Sequence, residues 1–125
     1  MDGSMDEVAE EVRKAMLAGE ASAIGQLLDP NVTWGAPGSR NPTCKDRNQV
    51  LNWYQRAQEA GVRGNPIAID VLGDRLVVTL TVRGTEGARE RGGTALRFQV
   101  LTVRDGRIID IVGFDDKSEA IEYAQ

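Results

Sequence analysis

The sequence predicts an α+β domain in which helices come first and a meander of antiparallel strands follows. Two observations carry that prediction. Up to Gly61, apolar residues recur at helical spacing behind capping pairs; from Asn65 onward the chain switches to runs of Val, Ile, Leu and Thr broken by turns. Length is the third: 125 residues suffice for one core, burying roughly two thirds of the unfolded surface. No repeat or linker divides them, so residues 1–125 are expected to form a single domain.

Ser4 with Glu7 has the capping-box form, and Val8, Val12 and Met16 then recur every four residues, predicting a first helix to Ala18 with Gly19 as its C-terminal cap. Glu20 to Leu28 reads as a short second helix stopped by Asp29-Pro30. Val32 to Ala36 is expected to be a strand, and Pro37 to Pro42 a loop rich in turn formers. Asp46 and Gln49 open a third helix, with Val50, Tyr54 and Ala57 on one face, Trp53 beside them and Gly61 at the end. Four strands follow at Pro66–Leu72, Arg75–Arg83, Thr94–Arg104 and Arg107–Phe114. Gly73-Asp74 and Asp105-Gly106 are hairpin turns, and Gly84 to Gly93 is read as a longer, mobile tip. Asp116 and Glu119 cap a last helix running to Tyr123.

Composition narrows the chemistry. A net charge of −4 without a basic stripe argues against nucleic acid, and no apolar run is long enough to span a membrane. Met1 to Asp6 has neither the cationic start nor the apolar core of a secretion signal, so a cytoplasmic location is expected. A single cysteine, Cys44, excludes an internal disulfide, and the lack of histidine removes the usual metal ligand and near-neutral proton shuttle. Neither metal nor organic cofactor is expected. Cys44 has Lys45 beside it but no base to activate it, so it reads as an inert thiol; Arg40 and Arg47 read as solvated charges.

The order of elements resembles SnoaL-like members of the nuclear transport factor 2-like superfamily across nearly the whole chain. So do Leu28-Asp29-Pro30-Asn31-Val32-Thr33-Trp34, Lys45-Asp46-Arg47 before the third helix, and Asp105-Gly106-Arg107-Ile108 before the last strand. The resemblance implies a cystatin-like cone: a curved antiparallel sheet wrapped around three N-terminal helices, with a pocket inside and a short C-terminal helix. Ketosteroid isomerases, polyketide cyclases, limonene epoxide hydrolases, dehydratases and binding modules share that fold, so the fold does not decide the function.

Matched to the isomerases, the catalytic aspartate position is held by Gly35, the oxyanion tyrosine of the first helix by Val12, and the protonated aspartate by Gln99. Tyr54 matches a supporting tyrosine, with Trp53 where the isomerases have phenylalanine. An isomerase of that mechanism is therefore rejected.

The same matching and strand alternation turn Gly35, Arg97, Gln99, Leu101, Ile111, Gly113 and Asp115 inward, and Trp34 and Asp110 outward. The implied pocket, lined also by Trp53 and Tyr54, suits a largely apolar molecule with a few oxygens, polyketide-, terpenoid- or steroid-like. Asp115 with Arg97 resembles the aspartate–arginine arrangement of limonene epoxide hydrolases and is the candidate for acid–base catalysis; a rim ion pair or helix cap is the alternative. Trp53 and Tyr54 either touch the ligand or fill the core, and Gln99 needs a partner from ligand, backbone or water. Trp34 is expected to pack outside the sheet or against a second copy. Because the central strands show no strongly charged face, a homodimer through the sheet is expected to cover the outer side.

Overall fold

The computed structural model describes residues 4–38 and 40–125, with Ser4 described by its backbone alone. The Ser4 side-chain cap and the turn at Ser39 therefore lie outside the described residues. Helix α1 (Ser4–Ala18) and a five-residue α2 (Ala21–Gly25) lead into β1 (Leu28–Gly35). Helix α3 (Arg47–Glu59) is followed by β2 (Arg63–Leu72) and β3 (Arg75–Arg83). A short α4 (Glu86–Glu90) precedes β4 (Ala95–Arg104), β5 (Arg107–Phe114) and the terminal α5 (Lys117–Ala124). The five strands form one sheet in the order β1-β5-β4-β3-β2, antiparallel except where β1 runs parallel to β5.

Capping residues set the helix starts. Asp46 accepts from the Gln49 backbone N–H at 2.9 Å, and Gln49 Oε1 reaches back to the Lys45 N–H at 2.8 Å. Asp116 accepts from the Ser118 and Glu119 N–H groups at 2.7 and 3.3 Å, as its place before α5 predicts.

Three elements depart from expectation. The second helix stops at Gly25, and Asp29-Pro30 lies inside β1 instead of ending the helix. Pro30 is tolerated there because Asp29 to Val32 have no partner in the β5 ladder, so its missing N–H costs no sheet bond. Strand β2 begins three residues before Pro66, which sits at a slip in its register with β3. The Gly84 to Gly93 tip is not a bare loop: Thr85 Oγ1 accepts from the Ala88 N–H at 3.0 Å and starts the turn of α4, whose Ala88 is fully buried.

Two apolar layers flank the sheet. On the inner side Val8 and Val12 of α1 and Val50 of α3 pack with Leu28, Val32, Leu76, Val78, Leu80, Leu101 and Ile111. On the outer side α5 lays Ala120 and Ala124 on Val77, Phe98, Val100, Val112 and Phe114. The cover expected from a second copy is thus provided, over these residues, by the chain's own C-terminus. Arg75 pins it by donating to the Tyr123 carbonyl at 2.7 Å, its guanidinium 5.1 Å from the Tyr123 ring.

Candidate functional site

Pairing of Gln99 with Gly113 puts Arg97 opposite Asp115 two residues further on, and the two side chains are hydrogen-bonded and ion-paired. Gly113 makes the arrangement possible: a Cβ there would lie 2.7 Å from Arg97 Nη2, so the guanidinium rests on bare β5 backbone. Gln99 is half-buried beside them. Arg97, Gln99, Gly113 and Asp115 share the helix-facing side of the sheet with Leu101 and Ile111, as alternation predicts. Toward the strand middles that face is closed, because Leu101 and Ile111 are 1% and 6% exposed within the core. The end carrying Arg97 and Asp115 opens to solvent, the two side chains being 41% and 78% exposed.

Gly35 and Trp34 exchange the faces expected of them. Trp34 pairs with Ile111 and packs into the inner core, while Gly35 pairs with Val112, which lies under α5. Gly35 also has no open space beside it: a Cβ would stand 2.9 Å from Pro42 Cα. That contact arises because the chain doubles back after β1, with Trp34 and Cys44 exchanging two backbone hydrogen bonds of 2.9 Å. Gly35 is thus a close-packing position rather than an inward pocket wall. Trp34 takes the inner place, its ring 4.7 Å from that of Trp53 and tilted by 58°. Trp53 remains 41% exposed.

Tyr54 is half-buried; burial pushes its phenol above the usual range and the nearby Arg63 opposes the shift. It is therefore a hydrogen-bond donor at neutral pH, and among the described residues no hydrogen bond or ring contact links it to Arg97 or Asp115. Cys44 is buried, which pushes its thiol up, against the pull of Arg56 and with a smaller push from Asp46. Asp110 lies on the outer face, where Thr33 Oγ1 donates to it at 2.5 Å. Among the described residues no three Cys, Asp or Glu side chains gather closely enough to hold a metal ion.

Two surface hollows lie away from the inner face. One, about 550 Å³, is bounded by Asp29, Asn31, Arg104, Asp105, Arg107 and Ile109; the other, about 480 Å³, lies along α5. Neither is bounded by any residue expected to line the cone. No helix among the described residues is long and apolar enough to cross a membrane.

Solved structures place this architecture among known folds. A candidate polyketide cyclase from Sinorhizobium meliloti superposes with a TM-score of 0.68 at 22% identity, covering 89% of this chain and 98% of its own. TerC, co-crystallised with polyporic acid, gives 0.66 at 21% identity over 97% and 98%. A candidate ketosteroid isomerase from Kribbella flavida gives 0.72 at 13% identity over 91% and 78%. At these identities the likeness shows the fold alone. No protein of curated function matches the chain. The SnoaL-like domain profile matches residues 9–111, most of the sequence and every element from α1 into β5, and the chain belongs to that family.

Proposed function

We propose that this protein binds a small, largely apolar molecule bearing a few oxygens at the open end of its inner sheet face. The observation that carries the reading is the Arg97 guanidinium, laid over Gly113, held by Asp115 and half exposed at the end of a face whose buried part is apolar. A guanidinium so placed presents N–H donors to a carbonyl or enolate oxygen, Gln99 adds an amide, and the Trp34–Trp53 pair offers an aromatic wall. Because Leu101 and Ile111 close the strand middles, the ligand would sit at the open end and not deeper along the face. Co-crystallisation of TerC with polyporic acid supports an oxygen-bearing organic ligand for this fold.

A non-catalytic binding or sensing role is the second reading, and a specific observation favours it. The inner face of β1 presents Leu28, Val32 and Trp34 and so has no carboxylate, and Asp115 is largely exposed and tied to Arg97. If the protein is an enzyme, Asp115 is its acid–base group; full turnover by Asp115→Asn would remove that role. The same proposal has the 125 residues act as one cytoplasmic domain. It also has them dimerise through the part of the outer face that α5 leaves bare, where Leu96 is 47% exposed opposite Thr81. A monomer mass unchanged with concentration in sedimentation would contradict the dimer.

The test is native mass spectrometry of protein from its own host, then thermal shift with polyporic acid and related oxygenated aromatics. A stabilising ligand whose effect disappears in Arg97→Gln is expected. Equal stabilisation of Arg97→Gln and wild type would refute the assignment of the site.

A further inference from the structure

The 550 Å³ hollow at the β4–β5 turn has features that ordinary surface relief does not explain. Ile109 has no partner in either neighbouring ladder: β1 passes from Leu28 opposite Ile108 to Thr33 opposite Asp110, and β4 from Val103 opposite Ile108 to Thr102 opposite Asp110. Four residues of β1, Asp29 to Val32, therefore arch past one residue of β5, and the arch opens the hollow. Asp105 and Gly106 turn the hairpin with positive φ values of 53° and 77°, a type I′ pattern that sets Arg104 directly opposite Arg107. Like charges at opposed positions destabilise a hairpin. Asp29 and Asp105 line the same hollow, yet among the described residues none of these four charges forms an ion pair with another. Asp29 instead turns Oδ1 to the Asn31 backbone N–H at 2.9 Å, which fixes its carboxylate at the rim.

We propose that this hollow is a binding site for a small zwitterion of the α-amino acid type. Two guanidiniums meet its carboxylate, Asp29 and Asp105 meet its ammonium, and Ile109 contacts an aliphatic side chain. A simple anion fits less well, because the two aspartates that share the hollow would repel it. The site lies on the opposite face of the sheet from Arg97 and Asp115, and it is independent of the function proposed there.

The test uses the full chain, labelled with ¹⁵N, titrated separately with L-leucine, 4-methylpentanoate and 3-methylbutylamine. These three share an aliphatic body and differ in carrying both charges, the negative one or the positive one. L-Leucine is expected to shift the amide signals of residues 29–31 and 104–109 saturably, with each singly charged analogue about tenfold weaker or more. Arg107→Gln and Asp29→Asn, both at solvent-accessible positions, should each weaken L-leucine by about tenfold while leaving the remaining spectrum in place. Binding of 4-methylpentanoate as tight as that of L-leucine would show a plain anion site and overturn the proposal. So would the absence of any shift at these amides up to the solubility limit of L-leucine.

Discussion

Two glycines on the last and first strands separate a packing role from a functional one. Gly35→Ala places a methyl carbon 2.9 Å from Pro42 Cα and 3.1 Å from Pro42 Cβ. Pro42 cannot retreat freely, because two residues on, Cys44 is bonded to Trp34 by both of its backbone groups. Overpacking of this kind costs about 1–3 kcal/mol, and the reduced freedom of the unfolded chain returns about 0.4–1 kcal/mol. The net loss falls between about 0 and 2.6 kcal/mol with a midpoint of about 1.3 kcal/mol, which corresponds to a fall in Tm of roughly 4–7 °C for a chain of this length. Gly113→Ala brings its methyl within 2.7 Å of Arg97 Nη2, but that atom ends a flexible side chain and can swing away. What is lost is an exposed ion pair worth about 0–1 kcal/mol, so stability should stay near that of wild type. Binding at the inner face should suffer instead, since the guanidinium leaves its seat. Urea unfolding followed by tryptophan emission reads the first quantity, and ligand-induced thermal shift the second. A Gly35→Ala protein as stable as wild type, or a Gly113→Ala protein that binds normally, would refute the reasoning.

Leu101→Ala removes a side chain that is 1% exposed and should cost about 2–5 kcal/mol in urea unfolding, whatever the ligand. Because burial raises the Cys44 thiol, its contribution to stability is complete below the ordinary thiol value and is lost as pH rises through the raised one. Between about pH 7 and about pH 9.5 the urea midpoint should therefore fall more for wild type than for Cys44→Ala. Arg75→Met deletes the bond to the Tyr123 carbonyl and the ring contact, and should speed hydrogen exchange at Ala120–Ala124 before the rest of the sheet; unchanged exchange there would deny Arg75 its pinning role.

The sequence carried the architecture and the Arg97–Asp115 pair because both rest on short-range regularities. Helix caps lie three residues apart, and the two strands joined by Asp105-Gly106 have a register that the turn dictates as far as their slip at Ile109. Past that slip the parity of Gln99, Gly113 and Asp115 was still legible, since it was counted along the strands from matched positions. The faces of Gly35 and Trp34 were not, because β1 pairs with a strand some eighty residues away, in parallel, across an arch of four unpaired residues. A signal was present nonetheless. In Leu28-Asp29-Pro30-Asn31-Val32-Thr33-Trp34 the apolar residues Leu28, Val32 and Trp34 fall on one parity and Asp29, Asn31 and Thr33 on the other. The alternation assigns Trp34 to the core without any alignment. The hollow at Ile109 could not have been foreseen, since it comes from two register slips meeting at one residue.

The placement of donors and acceptors also limits what reaction the inner face could support. Arg97 and Gln99 bring N–H donors to it and Trp53 stands beside Trp34, while Tyr54, whose raised phenol keeps its proton at neutral pH, makes no hydrogen bond or ring contact with Arg97 or Asp115 among the described residues. Cys44 is likewise held protonated and is buried. Against these stands one carboxylate, Asp115, whose oxygen already accepts from Arg97. Such a face is suited to holding a carbonyl or enolate oxygen and poorly suited to taking a proton from carbon. For Asp115 to act as a base, a ligand oxygen would first have to displace it from the guanidinium, so binding and base release would be coupled. Under that coupling Arg97→Gln would weaken binding yet leave Asp115 unpaired. Asp115→Asn, which retains an acceptor for Arg97, would spare binding and abolish turnover. Loss of both properties in both variants would mean instead that the pair only holds the end of the sheet together.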